Sequence, residues 1–353
     1  MPFSHLYGKL SDLRNTLYDR GILRSYPLGS RTISIGNITT GGTGKTPLVA
    51  YIARILTERG EKVCILTRGY GRSNPADRIV VSDKNTLVTD PKLAGDEPVE
   101  LARTLGETVV IIADGDRVAA AEWARGAYDL TTFILDDGFQ HRRARRNLDI
   151  LCIDATNPWG GGATLPGGRL RETIGGVRRA HIVVITRSDL VQEVEGLRTE
   201  ILRLNPKAAV FAARNEVVRV SELNEYKGVE GHGERESYWD LAGIANSLPT
   251  SSDDSLRTLA FCAIGNPQNF FGLIERFHGR FQLAETRIFP DHHYYTQSDV
   301  EGLETAAGGV EAAALLTTAK DAVKVKDLSF TMPCYVVEIE IVLDRPDEFA
   351  ALL

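Results

Sequence analysis

Apolar and polar positions alternate along most of the chain in a strand-helix pattern. From Thr32 onward, short β-branched and apolar runs are separated by longer stretches with helical spacing. Because strands that alternate with helices build parallel sheets, the pattern predicts an α/β fold with a parallel sheet and helices on both faces. The predicted strands of this first region lie near 32–36, 63–67, 109–113, 131–135, 149–153, 181–186 and 209–212.

The alternation stops at about residue 213 and returns later in the chain. Residues 213–256 are polar and show neither the helical nor the strand periodicity of apolar residues, which predicts a connection between domains. A core domain at 29–212 and a second, smaller α/β lobe at 257–353 follow from this division. The strands predicted in the second lobe lie near 258–263, 281–288, 313–317 and 334–340.

Residues 1–28 interleave leucine and tyrosine with lysine and arginine at helical spacing, which predicts an amphipathic helix. Such a helix packs on the core or lies on a membrane surface, since both arrangements use the same apolar stripe. The residues of this segment leave both interpretations open.

Composition narrows the class of protein. Apolar residues make up 43% and charged residues 25%, as in globular proteins, and the net charge of −6 argues against a general nucleic-acid binder. Cysteines lie far apart in apolar runs, predicting buried thiols in a cytosolic protein. No apolar run approaches the ~20 residues that cross a bilayer, and no signal peptide is recognisable. The cysteines are Cys64, Cys152, Cys262 and Cys334.

A glycine-rich segment at 36–46 follows the first predicted strand and precedes a predicted helix, which is the context of a phosphate loop (P-loop). Lys45 is predicted to reach the β and γ phosphates of a nucleotide, and the Thr46 hydroxyl to ligate Mg²⁺. Thr39 stands where the strict pattern has glycine, and a turn that binds nothing is the alternative. The other predicted nucleotide-binding residues of the loop are Thr40, Gly41, Gly42, Thr43 and Gly44.

Acidic residues suggest the rest of a catalytic site. Asp136 and Asp137 end an apolar strand and are candidates to hold the metal, although adjacent acids also form turns. Asp96 precedes a predicted helix, so it is either an N-cap or a base that accepts a hydroxyl proton. His292 or His293 of the Asp-His-His-Tyr segment could assist such a base.

Several short motifs follow one another across nearly the whole chain: GNITTGGTGKTP at 36–47, RGYGR at 68–72, GDEP at 95–98, DDGFQH at 136–141, GRLRE at 168–172, IGNPQNFF at 264–271, DHHYY at 291–295 and TAKDAVK at 318–324. In this order they resemble the tetraacyldisaccharide 4'-kinase family, the lipid A 4'-kinases. The resemblance implies two α/β/α lobes and transfer of the ATP γ-phosphate, with Mg²⁺, to the 4'-hydroxyl of a tetraacylated glucosamine disaccharide 1-phosphate. The product would be lipid IVA, made on the cytoplasmic face of the inner membrane.

The resemblance also implies residue roles. Asp96 would be the catalytic base with His292 as its dyad partner, while His293 stays open as the alternative. Glu172 would join Asp136, Asp137 and Thr46 at the metal, and Tyr70 and Arg171 would lie at the nucleotide. The N-terminal helix would lie on the membrane, and no obligate protein partner is implied. A basic cluster would meet the substrate phosphate, the membrane or only solvent, and comprises Arg142, Arg143, Arg145 and Arg146.

Other classes of P-loop protein remain as alternatives. The segment 186–189, Thr-Arg-Ser-Asp, is similar to the guanine-reading motif of GTPases, which would indicate a GTP-hydrolysing switch or a metal-delivery protein. Arg187 in place of lysine and the lack of metal-binding cysteine pairs argue against it. An ATP-binding structural or partner-sensing protein is a third possibility, but it would leave Asp96 and His292 without a role.

Overall fold

The computed structural model describes residues 2–226, 255–277, 281–291 and 293–353. The chain forms two compact units: Met1–Arg214 together with Ile341–Leu353, and Asn215–Glu340. Both are built on largely parallel sheets, so the predicted α/β class is confirmed.

Strands and helices alternate in the first unit as the apolar pattern predicts. Its strands in chain order are β1 (Arg31–Asn37), β2 (Val63–Thr67), β3 (Ile79–Ser82), β4 (Val110–Ala113), β5 (Thr132–Asp136), β6 (Leu148–Asp154), β7 (Ile182–Thr186) and the start of β8 (Ala209–Glu222). Its helices are α1 (Pro2–Asp19), α2 (Lys45–Glu58), α3 (Pro91–Ala94), α4 (Asp96–Leu105), α5 (Arg117–Ala127), α6 (Glu195–Leu204) and, near the C-terminus, α10 (Pro346–Leu352).

The sheet of the first unit has the order β3-β4-β2-β5-β1-β6-β7-β8. All neighbouring pairs from β4 to β8 are parallel, and only β3 is antiparallel, to β4. Ile35 of β1 lies opposite Asp136 of β5. Since parallel strands end at the same edge of a sheet, this register brings the glycine-rich loop after β1 beside the acids that end β5.

The second unit has the strand order β10-β9-β11-β12, with parallel pairs throughout. Its core includes Phe261 and Leu315, both without exposed surface. Its elements in chain order are β9 (Leu256–Cys262), α7 (Pro267–Arg276), β10 (Phe281–Ile288), α8 (Gln297–Gly309), β11 (Ala314–Thr318), α9 (Ala319–Val325) and β12 (Cys334–Leu343) up to Glu340.

The unit boundaries differ from the sequence-based domains in two ways. Strand β8 continues to Glu222, so the predicted connection at 213–256 begins as a strand, and its residues 227–254 lie outside the described ranges. Residues 341–353, expected in the second lobe, belong to the first unit. The physical reason is packing: the fully buried Phe349 ring lies edge-on to Phe211 at 5.2 Å and 6.2 Å from Tyr51.

Helix α1 ends at Asp19, before the predicted limit near residue 28, and it attaches through polar residues. The Ser4 hydroxyl accepts a hydrogen bond from Gly167 N at 3.0 Å, and Asp12 accepts one from the Thr173 hydroxyl at 2.6 Å. Phe3, Leu6, Leu10 and Leu13, on the other side of the helix, are 72%, 55%, 56% and 55% exposed. The apolar stripe of α1 is therefore not used for core packing.

The four cysteines are buried free thiols, as predicted. In the described ranges, no helix combines the length and the apolar character needed to cross a bilayer.

Candidate active site

The glycine-rich loop has the form of a phosphate loop held by hydrogen bonds at both ends. Asn37 Nδ2 donates to the buried Thr43 hydroxyl at 2.9 Å, and the Thr186 hydroxyl of β7 donates to Thr43 O at 2.8 Å. Gly41 and Gly44 have φ values of 106° and 74°, which only glycine adopts without strain. The two hydrogen bonds and the glycine conformations therefore fix the curve of the loop before the first turn of α2.

Segment 169–172 lies along the first arm of this loop. Thr40 N donates to Arg169 O at 2.7 Å, and Arg171 N donates to Ile38 O at 2.7 Å. These two bonds hold the GRLRE motif against the phosphate loop, although more than a hundred residues separate them in sequence. From this position Arg171 Nη1 reaches Asp137 Oδ2 at 2.6 Å.

The acidic turn after β5 is placed against the end of β1. Gly138 N donates to Ile35 O at 2.9 Å, and Asp137 adopts a φ of 50°. A Cβ on Gly36 would lie 2.7 Å from Phe139 Cβ, so glycine at position 36 is what allows the turn to cross β1. The predicted pairing of the phosphate loop with Asp136 and Asp137 is thus present in the structure.

The two acids of the turn titrate in opposite directions. Burial raises the pKa of Asp136 to about 6, helped by the negative charges of Asp137 and Glu97. Burial also opposes ionisation of Asp137, but the Lys45 ammonium, with Nζ 3.3 Å from Oδ1, and the Arg171 guanidinium outweigh it and lower its pKa to about 2. Asp137 is therefore a fixed negative charge between two cations, while Asp136 binds a proton more tightly than an ordinary aspartate does.

Asp96 is buried at the start of α4, with 7% of its surface exposed. The N-cap position belongs to Gly95, at φ 96°, so Asp96 is not the N-cap. A Cβ on Gly95 would lie 2.8 Å from Tyr70 O, and one on Gly69 would lie 2.5 Å from Ala94 O. These glycine contacts pack the RGYGR turn, with its exposed Tyr70 side chain, directly against the start of α4.

Glu172 lies on the buried side of its segment, with 1% of its surface exposed. Arg179 donates to both of its carboxylate oxygens, at 2.7 and 3.0 Å. Asn15 Nδ2 and Gln140 Nε2 add bonds at 3.0 and 2.8 Å. Arg179 thus holds the Glu172 carboxylate in a bidentate ion pair. The hydrogen bond from Asn15 connects α1 to segment 169–172.

Oxygen ligands suited to Mg²⁺ lie at the mouth of the phosphate loop. Thr46 supplies a hydroxyl, and Asp136 and Asp137 supply carboxylates on the neighbouring turn. In the described part of the chain, no group of three or more acidic, histidine or cysteine side chains could hold a metal ion. This donor set still fits Mg²⁺, because phosphate oxygens and water complete its coordination in sites of this kind.

Several residues that support the site were not predicted from the sequence. Gln140 Nε2 donates to Asn37 O at 2.7 Å as well as to Glu172. Arg117, only 5% exposed, adds a buried positive charge that interacts with the carboxylates of the acidic turn. Its position after the carboxyl end of β4 was the available signal, since such loops meet at one sheet edge. Asn15 and Arg179 gave no comparable signal.

The histidine pair is only partly described. His292 lies outside the described residues. His293 is stacked on Phe289 at 4.9 Å, and its Nε2 lies 3.2 Å from Asp299 Oδ2, the acid of the capping box that begins α8. Its ring therefore contributes to the packing and capping of the second unit.

Most of the basic cluster after the acidic turn is engaged within the first unit. Arg146 Nε contacts both oxygens of Asp149 at 3.0 Å and is largely buried. Arg142 pairs with Asp19 of α1 at 2.7 Å, and Arg143 pairs with Asp116 at 2.7 Å. These three guanidinium groups therefore contribute to the packing of α1 and the β-strand ends.

The segment similar to a guanine-reading motif is also built into the loop's support. The side chain of Thr186 holds the phosphate loop, and Arg187 forms a buried ion pair with Asp154 at the end of β6. Arg187 is thereby committed to a carboxylate of its own sheet.

The parallel sheet, the glycine loop with its lysine and the paired acids at the next strand end define a P-loop protein with the fold of a P-loop kinase. The model of the family described as tetraacyldisaccharide-1-P 4'-kinase matches residues 1–353, and the chain belongs to this family. The GTPase alternative is not favoured by this match.

Two relatives and a solved structure agree with the family assignment. A tetraacyldisaccharide 4'-kinase of Halothermothrix orenii is 33% identical over 99% of this chain and 89% of its own length. One from Geobacter sulfurreducens is 36% identical over 95% of this chain and 86% of its own length. The crystal structure of LpxK from Aquifex aeolicus in complex with ATP matches with a TM-score of 0.73 and 29% identity, over 99% of this chain and 96% of that one.

Proposed function

We propose that this lipid sugar kinase transfers the γ-phosphate of ATP to the 4'-hydroxyl of tetraacyldisaccharide 1-phosphate, giving lipid IVA. Family membership supports the acceptor, and the ATP complex of the similar LpxK structure supports the nucleotide. The observation that carries the proposal is the charge arrangement at the loop mouth, where Lys45 and Arg171 converge on Asp137 within 3.3 and 2.6 Å. Such convergence of cations beside a phosphate loop suits the charge of a transferring phosphoryl group.

Nucleotide and metal would be held by the first unit. The backbone N–H groups of residues 41–44 would surround the phosphates, and Lys45 would contact the terminal phosphates. Thr40 would border this nucleotide site, with its own N–H bonded to Arg169 O. Thr46, Asp136 and Asp137 would hold Mg²⁺, which neutralises phosphate charge when bound. Glu172, predicted near the metal, would support the loop from its buried side and not as a direct metal ligand. Its oxygens already accept hydrogen bonds from Arg179, Asn15 and Gln140.

Asp96 would act as the base. Its carboxylate would accept the proton of the 4'-hydroxyl while that oxygen bonds to the γ-phosphorus and the bond to ADP breaks. Two observations support this role. Asp96 is buried at the start of α4, and the neighbouring residue, Glu97, is close enough to the metal-binding acids to raise the pKa of Asp136. Asp96→Asn should lower kcat at least about a hundredfold while the Kd for ATP stays within about twofold. Full turnover by the variant would show that Asp96 is not the base.

His292 would assist Asp96, as the family resemblance implies. The packing of His293 between Phe289 and Tyr295 supports the choice of His292 over its neighbour. His292→Ala should therefore lower kcat with little change in Tm, whereas His293→Ala should lower Tm. The reverse pattern would assign the assisting role to His293.

The exposed stripe of α1 would lie on the cytoplasmic face of the inner membrane, where a substrate anchored by acyl chains is found. Four large apolar side chains more than half exposed on one face support this placement. Leu6→Ser with Leu10→Ser should abolish sedimentation with vesicles of anionic phospholipid without lowering Tm. Leu202→Ser, at the 38% exposed Leu202 of α6, is the matched control. Equal sedimentation of the wild type, the Leu6→Ser, Leu10→Ser double variant and the Leu202→Ser control would contradict the membrane role.

The direct test of the proposed activity is incubation with labelled ATP, Mg²⁺ and the disaccharide acceptor in detergent. A lipid product that carries the label at the 4' position is expected. A clear preference for GTP, with hydrolysis that does not depend on the acceptor, would support the switch alternative and overturn the kinase.

A further inference from the structure

The GRLRE motif contains a third charged residue, Arg169, for which the nucleotide and metal roles above give no function. Its segment is extended and pairs with the phosphate loop through a bridge between Thr39 and Leu170. Alternate residues of an extended segment point to opposite sides. Leu170 and Glu172 are both 1% exposed and point into the unit, so Arg169 and Arg171 share the other side.

On that side the Arg169 guanidinium covers the tip of the phosphate loop. A Cβ on Gly41 would overlap its Nη2 atom, so the close approach depends on glycine at that position. The Arg169 residue is exposed at its outer surface. Across residues 2–226, 255–277, 281–291 and 293–353, no carboxylate pairs with the Arg169 guanidinium.

The neighbouring cations differ in this respect. Lys45 and Arg171 share the carboxylate of Asp137, and Arg187, at the other side of the loop, pairs with Asp154. Arg169 is thus a guanidinium held on the loop by its backbone bond from Thr40 N and by contact with Gly41, without a compensating acid. A planar guanidinium with several N–H donors matches the oxygens of a phosphate group.

We propose that Arg169 is a further phosphate-binding residue, which contacts the phosphate oxygens of the nucleotide held by the loop. The proposal rests on the nucleotide site proposed above. The same chemistry could serve the phosphate that the acceptor itself carries. Contact with Gly41, inside the nucleotide loop, favours the nucleotide.

The test compares Arg169→Ala, Arg169→Lys and the control Arg203→Ala, which removes an exposed guanidinium at the end of α6. The Kd for ATP is measured by calorimetry without acceptor, and KM for the acceptor is measured separately. Arg169→Ala should weaken ATP binding by about tenfold to a hundredfold, the effect of one lost charge-assisted hydrogen bond. Arg169→Lys should recover part of this loss, while Arg203→Ala should bind as the wild type does.

The outcomes separate this inference from the proposed function. An Arg169→Ala protein with a Kd for ATP within twofold of wild type would overturn the inference, including the case in which only the KM for the acceptor rises. A wild type that binds ATP but phosphorylates no lipid would overturn the proposed function and leave the comparison of Kd values valid. A wild type that binds no ATP would overturn both.

Discussion

Replacing Arg179 with methionine tests whether the buried Glu172 carboxylate anchors segment 169–172 beside the phosphate loop. Glu172 is 1% exposed and accepts two hydrogen bonds from Arg179, whose side chain is 15% exposed and lies 4.5 Å from the centre of the Phe139 ring. Methionine keeps most of the apolar contact but removes the charge. The variant therefore leaves a buried carboxylate without its cation.

The magnitude follows from the partners that remain. Removing one member of a buried ion pair costs roughly 3–5 kcal/mol, because the other charge stays buried and uncompensated. Asn15 and Gln140 each still donate one hydrogen bond to Glu172, so the lower end, about 3 kcal/mol, is expected. In Arg179→Met with Glu172→Gln no charge is left buried, so the double variant should lose clearly less than the sum of the two single losses.

Urea denaturation followed by fluorescence gives the free energy of unfolding of each variant. Lys62→Met is the control, since the Lys62 and Asp129 side chains are 58% and 84% exposed and surface ion pairs of this kind contribute little to stability. A loss below about 1 kcal/mol for Arg179→Met, or strict additivity in the double variant, would refute the anchor role. Glu172 would then be available for the metal role that the family resemblance implies.

Three further predictions concern the loop, a histidine and the C-terminus. Gly41→Ala should weaken ATP binding at least about tenfold. A Cβ at this position would overlap the Arg169 guanidinium, and a φ of 106° strains any residue other than glycine. A calorimetric Kd for ATP equal to that of the wild type would contradict this prediction. Burial, with the charges of Arg117 and Arg146, lowers the pKa of His141 to about 4, below its unfolded value of about 6.5. The unfolded state therefore binds the extra proton, stability should fall as pH drops from about 6.5 to 4, and His141→Gln should reduce this fall in Tm; equal pH profiles would contradict the assignment. Phe349→Ala should lower the free energy of unfolding, measured by urea denaturation, by about 3–5 kcal/mol, because the ring is fully buried. The control Phe3→Ala, at a 72% exposed ring, should leave it almost unchanged. A small loss for Phe349→Ala would show that residues 341–353 do not stabilise the first unit.

Local chemistry explains why the loop and the acidic turn were predictable from the residues alone. Each is a continuous segment in which glycine, lysine and acids follow a buried strand, so spacing along the chain fixes their geometry. The meeting of Lys45 with Asp137 was also predictable, because parallel strands end at one edge. The short strand β3, by contrast, is a four-residue run whose antiparallel pairing no local pattern indicates.

Residues brought together from distant parts of the chain were not predictable in this way. Glu172 meets Asn15 across 157 positions and Gln140 across 32, and neither contact leaves a periodic signal. The resemblance placed Glu172 near the metal, whereas its carboxylate is found in a pair with Arg179. Which atoms approach a carboxylate depends on packing in three dimensions.

The sequence by itself determined the α/β class, the phosphate loop, the acids that accompany it and the family, because these are properties of short segments and of their order. Only the tertiary structure decided which face of α1 is covered, since apolar stripes on core-facing and membrane-facing helices are identical until their neighbours are known. It also assigned residues 341–353 to the first unit through Phe349. Burial and long-range charge pairing depend on the surrounding chain, and local sequence does not encode them.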